Sequence, residues 1–307
     1  MKNWIEAARL RTLPLSLSGI ILGSLLAKWK GDFDGIIFGL SCLTTILFQI
    51  LSNFANDYGD GTKGTDNELR VGPSRAIQSG VITQHSMLRA IIITILLSLL
   101  SSVVLLWYTF IPNYKNEFFI FMGLGIACVL AAIFYTMGKK PYGYMGLGDV
   151  FVFIFFGLVS VLGSDFLYTK TFSWDNLLPA SAIGLFSCAV LNLNNMRDIE
   201  SDRVSNKKTL ALRLGFQKAK YYQMVLMNLP FILGLIFLLI HQNEFVIKLE
   251  SWSSLKPFLF FILFIPNTIL RRKILYTQNA KDLDLYLKPT ALLALFFSVF
   301  FGMGLSL

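Results

Sequence analysis

Histidine and cysteine are scarce in this sequence, and their scarcity excludes several kinds of metal and redox site. Only two histidines, His85 and His241, occur in 307 residues, too few for a site in which histidines hold a transition metal. The three cysteines, Cys42, Cys128 and Cys188, are isolated and lie in or beside apolar runs. They predict neither a disulfide framework nor a paired-cysteine metal site.

Charged residues are also few: they make up 15% of the chain, against 55% hydrophobic residues and a mean hydropathy of +0.62. Several apolar runs reach the roughly 20 residues that cross the hydrocarbon core of a bilayer, so we expect an integral membrane protein. The net charge of +9 then reflects Lys and Arg in cytoplasmic loops and at the lipid surface. Nucleic acid is not expected, because the basic segments lack the interleaved aromatics that a single strand requires.

Hydropathy predicts an all-α polytopic fold of about nine membrane helices in a single domain over residues 1–307. The first span follows Lys2, Arg9 and Arg11 without a small-residue cleavage pattern, so we expect it to be retained. The predicted spans are 13–29, 35–56, 88–110, 118–137, 147–167, 176–197, 219–241, 256–276 and 287–306.

The distribution of basic residues predicts the orientation of these helices. With the N-terminus in the cytoplasm, all but six of the 27 Lys and Arg fall on the inside. The six outside are Lys28, Lys30, Lys115, Lys170, Lys248 and Lys256. This predicts a multi-pass protein of the cytoplasmic (inner) membrane whose polar loops, which would carry the active site, face the cytoplasm.

Two clusters of oxygen-bearing side chains end the second and sixth predicted helices. Helical spacing places Asn53, Asn56, Asp57 and Asp60 on one face, and Asn194, Asp198 and Asp202 on another. The clusters lie four helices apart, which predicts two four-helix pseudo-repeats, plus one further helix, around a central cavity.

Carboxylate and amide oxygens are ligands that suit Mg²⁺, which keeps some waters and binds substrate phosphates. We therefore expect Mg²⁺ on Asn53, Asp57, Asp60, Asp198 and Asp202, where it would stabilise a departing diphosphate. The alternative is that these residues are helix ends solvated at the membrane interface.

Basic residues near these clusters could complete a diphosphate site. Lys63 and Arg75 lie in the first polar loop, and Arg203, Lys207 and Lys208 follow the second cluster. Simple retention of positive charge on the inside accounts better for Lys140, Lys208 and residues 271–273.

Tyr135 and Lys139 would share a helical face, which favours a functional role for both. Asp149 begins the fifth predicted helix, either as an N-cap or as a polar group at the aromatic-substrate end of the cavity. A few of the 28 Phe and 11 Tyr should line that cavity, where ring faces stabilise an allylic cation.

At these residues the chain resembles the UbiA-type intramembrane aromatic prenyltransferases. Asn56-Asp57-Tyr58-Gly59-Asp60 matches the start of that family's NDxxDxxxD motif, and Asp198-Ile199-Glu200-Ser201-Asp202 matches its DxxxD motif. The resemblance implies a fold of about nine helices, Mg²⁺ and a polyprenyl diphosphate. It also implies substrate-binding roles for Arg11, Tyr135 and Lys139.

The flanking residues resemble the branch that acts on 1,4-dihydroxy-2-naphthoate in menaquinone synthesis. The similar segments are residues 70–80, 194–203 and 206–211. Gly64 stands where the family motif has its third Asp, so the next acid, Asp66, either takes the third ligand role or caps the loop.

The resemblance implies a reaction: a polyprenyl group passes to 1,4-dihydroxy-2-naphthoate, and diphosphate and CO₂ leave, giving demethylmenaquinol. The catalytic residues would be Asp57, Asp60, Asp198, Asp202 and Lys139. The substrate-binding residues would be Arg11, Asn53, Asn56, Lys63, Arg75, Tyr135, Asp149 and Asn194. Alternatives are an acceptor such as 4-hydroxybenzoate, or a cation-coupled secondary transporter. Prenyl chain length and oligomeric state are left open.

Overall fold

The structure is a computed structural model, and it describes residues 2–64, 72, 75–243 and 252–306. All regular secondary structure in these ranges is helical, which confirms the predicted all-α class. The α-helices are α1 (Lys2–Ala8), α2 (Leu13–Trp29), α3 (Gly35–Thr62), α4 (Gln84–Phe110), α5 (Lys115–Phe134), α6 (Gly148–Val152), α7 (Ser160–Thr169), α8 (Leu177–Arg197), α9 (Ile199–Val204), α10 (Leu210–Leu214), α11 (Phe216–Ile240), α12 (Phe264–Tyr276) and α13 (Asp284–Ser306).

Eight helical segments in the described ranges are long and apolar enough to cross a membrane. They confirm a polytopic membrane protein with about the predicted number of helices. A π-helical segment, Phe153–Val159, joins α6 to α7 into one of these spans. The predicted span 256–276 differs from the others because it begins as a 3₁₀ helix, Trp252–Leu263, and continues as α12.

Two groups of helices bury most of the apolar side chains. In the larger group α8 packs against α11 and α13, and α13 packs against α2. Phe186, Phe231 and Phe297 fill the centre with edge-to-face ring contacts at centroid distances of 5.4–6.1 Å. The smaller group consists of α3, α4 and α5, with Leu51 and Met87 fully buried between them.

A close crossing brings the π-helical segment onto α8. A Cβ atom added at Gly157 would lie 2.6 Å from the Cα of Gly184, closer than real Cβ contacts allow. Only glycine permits the two backbones to approach this closely.

The acid-bearing ends of α3 and α8 lie at the same end of the bundle, which we call the polar end. The beginnings of α2 and α13 lie there too, because Thr12 contacts α3 and Asp284 contacts α8. The helices therefore gather the polar ends of distant sequence segments in one place. The two four-helix pseudo-repeats stay a prediction.

Candidate active site

The two acidic clusters are joined at the polar end by one lysine. The side-chain Nζ of Lys207 lies 3.7 Å from Asp60 Oδ2. The backbone N–H of Lys207 donates to the backbone carbonyl of Asp202 at 2.9 Å. All three residues are buried, with exposed fractions of 8%, 1% and 4% respectively. Residues separated by about 140 positions in the sequence thus share one site.

Asp60 accepts hydrogen bonds from a second cation and from a phenol. Arg75 Nη2 lies 2.8 Å from Asp60 Oδ2, and the Tyr144 hydroxyl donates to Asp60 Oδ1 at 2.8 Å. The ammonium groups of Lys63 and Lys207 lie 4.9 and 5.3 Å from the centroid of the Tyr144 ring. Three cations therefore surround one carboxylate and one aromatic ring, which is a suitable arrangement for a polyanion.

Asp57 fixes the chain that carries Arg75. Its carboxylate accepts from the N–H groups of Ala76 and Ile77 at 3.1 and 3.4 Å. Arg75 Nη1 also donates to the carbonyl of Asn56 at 2.6 Å. The first acidic motif therefore positions its own arginine.

A buried guanidinium organises the second motif. Arg197 Nε and Nη2 donate to the two Asp198 oxygens at 2.9 and 2.6 Å, and Nη2 also donates to Asn194 Oδ1 at 2.7 Å. Its Nη1 forms an ion pair with Asp284 at the start of α13. Arg197, which is 2% exposed, thus ties α8 to α13 and compensates the charge of Asp198.

The charges at this site shift one another's titration. Burial raises the pKa of Asp202 to about 6; Lys207 opposes this shift, and Asp198 and Asp60 add to it. Burial lowers the pKa of Lys207, but the attraction of Asp60 and Asp202 outweighs burial, so its pKa lies above the ordinary value. Burial lowers the pKa of Lys63, partly offset by Asp60. A cation is therefore favoured between Asp60 and Asp202.

The side-chain amides of the first motif bind the protein itself. Asn53 Nδ2 donates to Thr12 Oγ1 at 3.2 Å, and its Oδ1 accepts from Gln49 Nε2 at 3.4 Å. Asn56 Oδ1 accepts from Thr136 Oγ1 at 3.3 Å. A metal role for Asn53 would require these bonds to be exchanged; in this structure Asn53 joins α3 to the N-terminal segment.

The structure corrects the geometric argument for Lys139. The helix that carries Tyr135 was expected to continue to residue 137, but α5 ends at Phe134 and the chain turns at Gly138, whose φ is +88°. Tyr135 lines the cavity, whereas Lys139 is exposed and is not among the residues that line it. Lys207, not Lys139, is the buried lysine that lines the cavity.

Asp149 lies in the first turn of α6 and is not its N-cap, which is Leu147. Its Oδ1 accepts from the Tyr222 hydroxyl at 3.2 Å, and it is not among the residues that line the cavity. Asp66, proposed as a third acid of the first motif, lies outside the described residues.

A cavity of about 560 Å³ opens beside this site and extends between the helices. Its wall is mostly apolar, and the charged and amide side chains that line it are concentrated at the polar end, whereas hydroxyls such as those of Ser41 and Ser102 line it elsewhere. The charged and amide residues that line it are Arg9, Arg11, Gln49, Asn53, Asn56, Asp60, Arg75, Asn194, Lys207, Asp284 and Lys288. The aromatic residues are Phe48, Phe121, Tyr135, Tyr142, Phe151, Phe155 and Phe156. A long apolar molecule with an anionic head fits this distribution.

The carboxylate oxygens of Asp57, Asp60, Asp198 and Asp202 are ligands of the kind that a hard cation prefers. Within the described ranges, no three His, Cys, Asp or Glu side chains converge closely enough to form a ready metal cluster. Protein cations occupy that space: Lys207 lies beside Asp60 and Asp202, and Arg75 pairs with Asp60. The position of the Lys207 ammonium group shows that these oxygens attract positive charge, as a site for Mg²⁺ must.

Sequence reasoning missed three residues of this site: Arg197, Asp284 and Tyr144. Arg197 offered a signal, because an arginine at the end of an apolar helix needs a buried counter-charge. Asp284 and Tyr144 offered none, since only the packing of α13 and of the turn after α5 brings them to the acidic helix ends.

Comparison with known proteins identifies relatives over most of the chain. The model of the UbiA prenyltransferase family matches residues 16–249. A 1,4-dihydroxy-2-naphthoate octaprenyltransferase of Haemophilus influenzae is 40% identical over 99% of this chain and 96% of that protein. The protein of the same name from Escherichia coli is 48% identical over 73% of this chain and 72% of its own length.

Solved structures share the fold at low sequence identity. A UbiA homologue from Aeropyrum pernix superposes with a TM-score of 0.67 at 13% identity, covering 96% of this chain and 97% of that one. A homologue from Archaeoglobus fulgidus, solved with GPP and Mg²⁺ bound, has a TM-score of 0.62 at 14% identity, with coverage of 97% and 99%.

Proposed function

Because this chain belongs to the UbiA prenyltransferase family, we propose that it transfers a polyprenyl group from polyprenyl diphosphate to 1,4-dihydroxy-2-naphthoate. Diphosphate and CO₂ would leave, giving demethylmenaquinol. The observation that carries the proposal is that Lys207 joins Asp60, near the end of α3, to Asp202, in the short helix α9 that follows α8, beside a largely apolar cavity. The names of the bacterial relatives favour the naphthoate over 4-hydroxybenzoate.

The proposed cofactor is Mg²⁺, held by Asp60 and Asp202 together with Asp57 and Asp198. When bound, it would neutralise the diphosphate and stabilise it as a leaving group. The all-oxygen donor set supports this assignment, as does the Mg²⁺ bound to the Archaeoglobus fulgidus homologue. Asn53 stays a further proposed ligand.

The cations of the site would hold the same diphosphate from the protein side. Arg75 and Lys207 are buried and aligned on Asp60, and Lys63 lies over the Tyr144 ring at the edge of the site. Charge-assisted hydrogen bonds from these groups to phosphate oxygens are stronger than neutral ones.

The cavity wall would stabilise the allylic cation and shield it from water. The rings of Tyr135, Tyr142, Phe151 and Phe155 line the cavity and can stabilise an allylic cation through their faces. The apolar wall excludes water, which would otherwise trap the cation before the acceptor ring attacks it.

We place the site on the cytoplasmic side of the inner membrane, because basic residues concentrate at the polar end. Lys140 lies at that end, and Lys115 begins α5 at the other. In oriented vesicles a Lys140→Cys variant should react with an impermeant thiol reagent only from the cytoplasmic face, and a Lys115→Cys variant only from the opposite face. The reverse pattern would refute this orientation.

The reaction can be tested with the purified full-length protein in detergent. We would supply Mg²⁺, a polyprenyl diphosphate and either 1,4-dihydroxy-2-naphthoate or 4-hydroxybenzoate, and weigh the products by mass spectrometry. The proposal predicts a prenylated naphthoquinol that has lost the mass of CO₂, and no such product when Mg²⁺ is chelated. Prenylation of 4-hydroxybenzoate alone would contradict it.

A further inference from the structure

The cations that line the cavity are of two kinds. Arg75 and Lys207 are paired with Asp60. The side chains of Arg11 and Lys288 also line the cavity, yet within the described ranges neither forms a hydrogen bond or an ion pair. Uncompensated positive charge at the mouth of an apolar cavity attracts an anion.

Arg11 and Lys288 reach this mouth from neighbouring elements. The 3₁₀ turn Leu10–Thr12 packs against α13, which carries Lys288 one turn after Asp284. Asp284 is ion-paired with Arg197, so its charge is already compensated. As far as the described residues show, the two cations are therefore available to a ligand.

This second pair of cations is set apart from the diphosphate site along α3. Thr12, next to Arg11, accepts a hydrogen bond from Asn53, whereas Arg75 and Lys207 contact Asp60. Asn53 and Asp60 are seven positions apart on α3, which corresponds to about 10 Å along the helix. An aromatic ring and a reacting carbon at a contact distance of about 3–3.5 Å fit within that length.

We propose that Arg11 and Lys288 bind the carboxylate of the aromatic acceptor, an inference that rests on the proposed function and gives it a second anion site. The acceptor ring then lies between this site and the diphosphate, against the apolar side chains of Leu287 and Ala291 on the same helix. The product has lost the carboxylate, so this site no longer holds it.

Lys288→Gln and Arg11→Gln variants of the full-length protein test the proposal. Loss of one charge-assisted hydrogen bond should raise the KM for 1,4-dihydroxy-2-naphthoate about tenfold in each variant. The KM for polyprenyl diphosphate should not change, and Lys288→Arg should restore most of the affinity. Lys281→Gln removes an exposed charge from the same end of the molecule, does not line the cavity, and should leave both constants unchanged.

An acceptor that lacks the carboxylate distinguishes loss of carboxylate binding from a general disturbance of the acceptor site. With 1,4-dihydroxynaphthalene, the wild type and Lys288→Gln should have equal KM values, because no carboxylate is present. An unchanged KM for the acid in both Gln variants would overturn the proposal, and so would an equal loss for both acceptors.

A binding measurement distinguishes this inference from the proposed function. Without a prenyl donor, 1-hydroxy-2-naphthoate should bind the wild type and bind Lys288→Gln about tenfold more weakly, as followed by its fluorescence. If the wild type binds this acid about tenfold more tightly than Lys288→Gln does but prenylates no naphthoate, the proposed function fails and the anion site stands. Equal binding to both proteins overturns the anion site whatever the activity.

Discussion

Arg197 is a buried side chain that connects two helices at the polar end. It donates to Asn194 and Asp198 on its own helix and pairs with Asp284 on α13. Its loss would remove the buried guanidinium that binds both carboxylate oxygens of Asp198, so Arg197→Met should destabilise the protein by roughly 3 kcal/mol and abolish activity. Thermal unfolding in detergent measures the loss.

Arg203→Met is the matched control. Arg203 pairs with Glu200 at the surface, where both side chains are mostly exposed, and such pairs contribute about 0–1 kcal/mol. Equal destabilisation by the two substitutions would contradict the role assigned to Arg197.

If Asp202 is a Mg²⁺ ligand, as proposed, it should make Mg²⁺ binding dependent on pH. Its pKa is raised to about 6, so its carboxyl is protonated below that pH, and a Mg²⁺ ion that binds there would have to displace the proton. Mg²⁺ affinity should therefore fall as the pH drops through about 6, and Asp202→Asn should remove this dependence. Calorimetric titration on either side of that pH measures it; equal affinity at both would refute the assignment.

The sequence predicts individual residues well where chemistry and helical spacing agree. Arg75 was expected to join the first acidic cluster in a diphosphate site because it lies in the polar loop that follows that cluster, and it pairs with Asp60. Lys139 was not placed correctly, because the argument required α5 to continue beyond Phe134. Asp284 could not be predicted, because its role arises from the contact between α8 and α13.

At the scale of elements, Gly59 sets how closely α3 approaches the turn after α5. A Cβ atom there would lie 2.4 Å from Thr136 Oγ1 and 2.8 Å from the Thr136 carbonyl carbon. Gly59→Ala should therefore push Asp57 and Asp60 out of register and lower kcat at least tenfold, roughly the cost of a misplaced reacting group. Steady-state kinetics measures this.

Gly39→Ala provides the control on the same helix, because a Cβ atom at Gly39 meets nothing within 4 Å. It should leave the kinetics unchanged and slightly favour the helix. An active Gly59→Ala protein would show that the approach of α3 is not critical.

Lys220 caps α12 from the neighbouring helix α11. Its buried ammonium group donates to the carbonyls of Leu275, at 3.2 Å, and Thr277. Lys220→Met would leave the buried carbonyl of Thr277 and the half-buried carbonyl of Leu275 without this donor and should cost about 1–3 kcal/mol, measured as a lower Tm. Lys218→Met, which removes an exposed lysine of the same helix, should leave the Tm unchanged; a similar drop in both would contradict the capping role.

For the whole molecule, hydropathy predicts the membrane helices because length and apolar content are set by the bilayer. The predicted spans therefore agree broadly with the helices. The exceptions are the 3₁₀ start before α12, the end of α5 at Phe134 and the continuation of α3 to Thr62. The cavity and the approach of the α3 end to Lys207 and α9 depend on packing between distant segments, which periodicity alone does not encode. The single-domain interpretation stays a prediction.

The most direct test asks whether the two acidic helix ends act as one site. Mg²⁺-dependent binding of geranyl diphosphate would be measured for the wild type, Asp60→Asn, Asp202→Asn and the double variant. If Asp60 and Asp202 hold the diphosphate together, each single substitution should lose nearly as much affinity as the double one. Independent, additive losses would contradict a shared site.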